Sequence, residues 1–175
     1  MDIKDKVAVV TGGASGMGLE ILKPLVSLGG KSWIFDVNAE QGEAKAKELG
    51  DSVIFAQVDV TNEESVKAGV AKAVEAFGAI HFNINCAGIA TGSKTVGKDG
   101  PFPLDLWSKT LAVNLTGTFN VLRLCAEQMT KNEPLTEDGC RGVIVNTASV
   151  AAFERQVGQA AYSASKGGIV GMTLP

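Results

Sequence analysis

Val7-Ala8-Val9-Val10-Thr11-Gly12-Gly13-Ala14-Ser15-Gly16-Met17-Gly18 is the stretch from which the rest of the chain is read. Its β-branched start predicts a short strand, and the stretch from Gly18 to about Gly29 predicts a helix. A strand running through a glycine turn into a helix lets the backbone approach a pyrophosphate, whose charge then sits on the helix N-terminus. The spacing Gly12-x3-Gly16-x-Gly18 is not GxGxxG, and a glycine turn can equally be a plain strand-to-helix connection. Pro24 removes a backbone donor from the helix and is expected to bend it.

Working outward, Ser32 to Asp36 predicts a second strand ending on an acid. In a dinucleotide-binding fold that acid holds the adenosine ribose hydroxyls and repels a 2′-phosphate. Otherwise it caps the helix expected from near Ala39. Val37 and Asn38 offer no cation to a phosphate, so NAD is favoured over NADP. Ser52 to Val58 predicts a third strand, then Asp59, which either caps locally or contacts adenine. Val66, Val70, Val74 and Phe77 form the core-facing stripe of the next helix. Ile80 to Asn85 predicts a fourth strand entering Cys86-Ala87-Gly88, small enough for the backbone to lie close to a flat ligand. Cys86 reads as a buried filler, and His81 as structural or exposed.

A long loop from 89 to 103 precedes an apolar helical stretch from Leu104 to about Met129, interrupted in register by Asn114. That helix needs cover from the sheet and from a partner subunit, and the Asn114 amide needs hydrogen-bond partners. After the polar loop from Lys131 to Gly139, Val143 to Ala148 predicts a buried fifth strand, with Ser149 at its end. Tyr162 and Lys166 follow at i and i+4, on one face of a last helix. A fixed cation beside a phenol favours the phenolate and brings it toward acid–base work near neutral pH. Five strands alternating with helices predict an α/β fold of the Rossmann type, a doubly wound parallel sheet with helices on both faces.

The bulk properties bound the function. With 175 residues, 45% of them hydrophobic and 20% charged, the chain is one globular domain. A net charge of −3 advertises no basic face for nucleic acid or anionic lipid. No apolar run approaches the length of a membrane span, and the opening residues are not a signal peptide. Three scattered cysteines and one histidine fit neither a disulfide framework nor a metal site, and point to a cytoplasmic setting without metal.

Together these residues resemble the short-chain dehydrogenase/reductase family along the whole chain. Thr11-Gly12-x3-Gly16-x-Gly18 is similar to its cofactor loop, Asn85-Cys86-Ala87-Gly88 to its Asn-Asn-Ala-Gly motif, and Asn114, Ser149, Tyr162 and Lys166 to its catalytic tetrad. The resemblance implies NAD held by Gly12, Ser15, Gly16, Met17, Gly18, Asp36, Asp59, Val60, Asn85, Ala87, Gly88, Tyr162 and Lys166. It implies hydride transfer with a secondary alcohol, Tyr162 as base, Lys166 on the nicotinamide ribose, Ser149 on the substrate oxygen and Asn114 holding a water. Asn146 to Glu154 and Gln156 to Tyr162 narrow the likeness to the branch acting on short-chain 3-hydroxyacyl-CoA. Arg155 departs from the glycine of that branch.

Val150 to Phe153 suggest an apolar substrate wall, and Lys94 and Lys98 are candidates for CoA phosphates. A hydroxysteroid or other small secondary alcohol is the alternative substrate, and a non-catalytic NAD-binding protein the alternative class. The family also implies a homotetramer. Its members are longer, so the C-terminal strands and the substrate lid are expected to be missing from this chain.

Overall fold

A computed structural model describes residues 2–154 and 156–174. The position of interest at Arg155 therefore lies outside the described residues. Five parallel strands form the main sheet: β1 (Val7–Thr11), β2 (Lys31–Asp36), β3 (Val53–Gln57), β4 (Phe82–Asn85) and β7 (Val143–Asn146), in the order β3-β2-β1-β4-β7. Between β4 and β7 the long loop folds into a two-residue antiparallel ladder, β5 (Val96–Gly97) with β6 (Gly100–Pro101).

The period of two sorts β1 and β2 onto two faces. Val7, Val9, Trp33 and Phe35 face α3 (Glu63–Phe77) and α5 (Thr118–Met129) through Val66, Val70, Val121 and Cys125. Ala8, Val10 and Ile34 face α1 (Gly16–Ser27) and α2 (Ala39–Leu49) through Leu22, Leu25 and Ala46. The doubly wound architecture expected from the sequence is the one found. No helix among the described residues is long and apolar enough to cross a membrane.

β1 lies at the centre, and the order reverses between β1 and β4. In open α/β sheets the crevice beyond the carboxyl ends of the strands at such a switch point is where ligands bind. The fifth strand departs from expectation. β7 is an edge, with Val143 37% and Val145 49% exposed. A run of β-branched residues says that a strand is apolar, not that neighbours flank it on both sides.

The stretch from Leu104 to Met129 is helical throughout, but in three parts. α4 (Leu104–Leu111) passes into a π-helical turn, Ala112–Gly117, and then into α5. Asn114 sits in the turn, where the extra residue per turn resets the register. A short 3₁₀ turn, Val150–Ala152, leads to α6 (Ala160–Gly171), which carries Tyr162 and Lys166.

Candidate active site

The glycine turn is held by contacts that its sequence demands. Gly12 has φ +64° and Gly16 φ +52°, in the left-handed region that favours glycine. At Gly18 a Cβ would come 2.3 Å from the carbonyl oxygen of Gly12, so only glycine lets α1 start this close to β1. Thr11 Oγ1, buried between strands, accepts from the Cys86 and Ala87 amides at 3.1 Å each. That hydroxyl ties the glycine turn to the end of β4.

Asp36 closes the next edge. Its Oδ2 accepts from the Ala14 amide at 3.2 Å and its Oδ1 from the Asn38 amide at 3.1 Å. It does not cap α2, because Asn38 does, accepting from the Gln41 amide at 3.1 Å. Asp59 Oδ1 accepts from the Thr61 amide and hydroxyl at 2.9 and 2.7 Å, a local turn that fixes the carboxylate at the end of β3.

These pieces surround a cavity of about 620 Å³. The loop residues Gly12, Ser15, Gly16, Met17 and Gly18 form one wall and Asp36, Asp59 and Val60 another. Ala87 and Gly88 complete the lining together with Lys109, Ala112 and Val113 from the α4 end of the long helical stretch. The sequence missed Lys109, which nothing local connects to the glycine turn.

Asn85, expected among the cofactor contacts, is not on that wall. It is 2% exposed, and its amide donates to Asn83 Oδ1 at 2.7 Å and to Asn146 Oδ1 at 2.9 Å. It ties β4 to β7 from inside. Tyr162 and Lys166 also lie off the lining, beside the cavity.

Lys166 is 5% exposed and donates to the Thr147 carbonyl at 2.6 Å. Its ammonium stands 5.8 Å from the centroid of the Tyr162 ring. Burial pushes its pKa down, opposed by the nearby Cys86 sulfur. The Cys86 thiol, half-buried rather than sealed, is pushed up by burial, against the hydrogen bond from Thr147 and the charge of Lys166. Ser149 Oγ accepts from the Ala151 amide at 3.2 Å, which leaves its own proton free.

Asn114 is 0% exposed. Its Oδ1 accepts from the Ile89 amide at 2.8 Å, and its Nδ2 donates to the Ile89 carbonyl at 2.9 Å and to Ser165 Oγ at 3.2 Å. Ser165 Oγ in turn donates to the Tyr162 carbonyl at 2.7 Å. Both amide protons are committed, so the side chain braces the loop to α6. Thr147 and Ser165, which complete these links, were not singled out in the sequence. Their position beside Ser149 and Lys166 was the available signal.

A second cavity of about 640 Å³ opens between residues 94–96 and the segment 151–163. Ala151, Ala152, Phe153 and Val157 line it, with Lys94 at one side; Lys98 is not part of it. The Ser93 amide donates to the Gly158 carbonyl at 2.8 Å and fixes the spacing of the two walls.

The family profile described as short chain dehydrogenase matches residues 6–174. The chain belongs to this family. It is 54% identical over 175 residues to the 3-hydroxyacyl-CoA dehydrogenase type-2 of Homo sapiens, covering 99% of this chain and 67% of that protein. It is 36% identical over 168 residues to a 3-alpha-(or 20-beta)-hydroxysteroid dehydrogenase of Mycobacterium tuberculosis, covering 96% of this chain and 60% of that one. The crystal structure of a 3-hydroxyacyl-CoA dehydrogenase type-2 from Mycobacterium avium superposes with a TM-score of 0.91 at 36% identity, over 98% of this chain and 68% of that chain. The short-chain dehydrogenase described here is accordingly an oxidoreductase, and it spans about two thirds of the length of the human relative.

Proposed function

We propose that this dehydrogenase uses NAD to oxidise a secondary alcohol reversibly, and that the alcohol is a short 3-hydroxyacyl-CoA. The observation that carries the reading is the buried ammonium of Lys166 beside Tyr162, without a carboxylate partner among the described residues, in a fold whose glycine turn and Asp36 line a cavity. A buried cation is costly to keep, and such groups concentrate where chemistry uses them. The cavity fits a dinucleotide. Gly12 and Gly18 let the turn close against Ala87 and α1, where a Cβ would strike backbone, and Asp36 retains lone pairs for ribose hydroxyls. Bound there, NAD would supply the hydride acceptor.

The chain's own groups divide the remaining work. Tyr162 takes the proton of the substrate hydroxyl as hydride leaves the carbinol carbon. Ser149 donates its free proton to the substrate oxygen. Lys166 has two N–H groups left after Thr147, which would hold the nicotinamide ribose hydroxyls and favour the phenolate. The Asn114–Ser165 link holds the Tyr162 main chain in place. The apolar wall from Ala151 to Val157 suits an acyl group. Phe119, 51% exposed on α5, suits burial against further copies in a homotetramer, and three free thiols suit a reducing cytoplasm.

The test follows NADH formation with 3-hydroxybutyryl-CoA, a hydroxysteroid and a simple secondary alcohol. Turnover is expected with the thioester, and Tyr162→Phe should lower kcat by about 10²- to 10⁴-fold. Preference for the steroid would move the substrate assignment, and NADH binding without any turnover would favour a non-catalytic protein.

A further inference from the structure

We propose that Lys109 is the counter-charge of the dinucleotide cavity, its ammonium meeting the cofactor's pyrophosphate from the α4 side. The proposal rests on the dinucleotide reading above. Lys109, Ala112 and Val113 recur at i, i+3 and i+4, so one helical face presents all three to the cavity. Among the described residues Lys109 is the one cation on that lining. The other charges there are the carboxylates of Asp36 and Asp59. A pyrophosphate seated on the glycine turn meets Ala14, Ser15 and Met17, none of them cationic. The start of α1 contributes only the partial charge of a helix terminus.

Lys109 is also uncommitted. It takes part in none of the ion pairs among the described residues, although Asp105 stands one turn earlier on α4. It is exposed at the rim, so its stem can swing over an entering ligand. Lys166 cannot do this work, since it is buried and held by Thr147. A rim cation facing an anionic ligand shortens the search for the site and strengthens binding, and both effects fade with salt.

The experiment titrates NADH and, separately, adenosine into wild type, Lys109→Gln and Lys109→Arg, at low ionic strength and near 1 M salt. Lys109→Gln should weaken NADH by about fivefold at low salt, and the gap should close near 1 M, where the screening length is about 3 Å. Lys109→Arg should stay within about twofold of wild type, and adenosine, which has no phosphate, should bind all three alike. Equal NADH affinity for wild type and Lys109→Gln at low salt would overturn the proposal, as would an equal loss for adenosine. Wild type that binds no NADH would instead remove the dinucleotide reading and this role with it.

Discussion

Replacing Asp36 with asparagine and with alanine separates two jobs that one carboxylate does. One oxygen holds the Ala14 amide, whose residue is 3% exposed, and the other holds the more accessible Asn38 amide. Asp36→Ala strands the Ala14 N–H away from water, at about 1–3 kcal/mol. For a chain of this size that is a fall in Tm of about 2–12 °C, at about 2–4 °C per kcal/mol. Asp36→Asn can turn its remaining oxygen to Ala14 and lose only the outer bond, so it should melt close to wild type. The charge job shows in cofactor choice. A carboxylate about 4 Å from a 2′-phosphate costs about 1 kcal/mol in water and about 4 kcal/mol at an effective dielectric near 20. That is a preference for NADH of about fivefold to about a thousandfold. Titration of NADH and NADPH into the three proteins, beside their melting curves, reads both jobs. Asp36→Asn should close most of the NADPH gap while Asp36→Ala closes it at the expense of stability. An unchanged NADPH-to-NADH ratio in Asp36→Asn, or equal Tm for the two variants, would refute the reasoning.

Other substitutions probe the scaffold. Gly18→Ala places a Cβ 2.3 Å from Gly12 O, a backbone atom that no rotamer can move, so a loss of about tenfold or more in NADH affinity is expected by titration. His81 Nδ1 accepts from the Val7 amide at 3.0 Å, and burial together with the Lys6 charge lowers its pKa. Its contribution to stability is therefore complete above the unfolded value of about 6.5 and lost as pH falls through the depressed folded value, so Tm should drop toward about pH 5.5 in wild type and less in His81→Asn. Val145→Lys, on the exposed edge of β7, should reduce self-association in sedimentation, because a charge on an open edge opposes strand pairing.

Much of the framework was legible because it is local. β1 announces itself by a β-branched run, β2 and β3 by short apolar and aromatic runs, and Gly12, Gly16 and Gly18 by the turn they permit. Asp36 could be placed at a strand end, but its choice between cap and cofactor needed Asn38 to be seen doing the capping. Asn85 lies off the cavity lining because its motif sits beside the cavity while its amide faces inward to Asn83 and Asn146. Lys109 was invisible for the opposite reason: only the folding of α4 brings it to the same cavity as the glycine turn. Asn114 was read correctly as an interruption, yet its partners Ile89 and Ser165 lie on other elements and have no signature in its own neighbourhood.

The π-helical turn at Ala112–Gly117 makes the length of its segment stricter than its composition. Each residue of an α-helix advances the side-chain direction by about 100°. The turn already absorbs one residue beyond an α-helical turn, so a further residue inserted between α4 and α5 would swing Val121, Cys125 and Met129 off the sheet, or Lys109 and Val113 off the cavity. Point changes there perturb one contact each, whereas a single-codon insertion breaks the alignment of core and crevice at once. Diversification of this protein by insertion is thereby channelled to mostly exposed turns such as 136–139, away from the β5–β6 ladder and the Ser93–Gly158 bond.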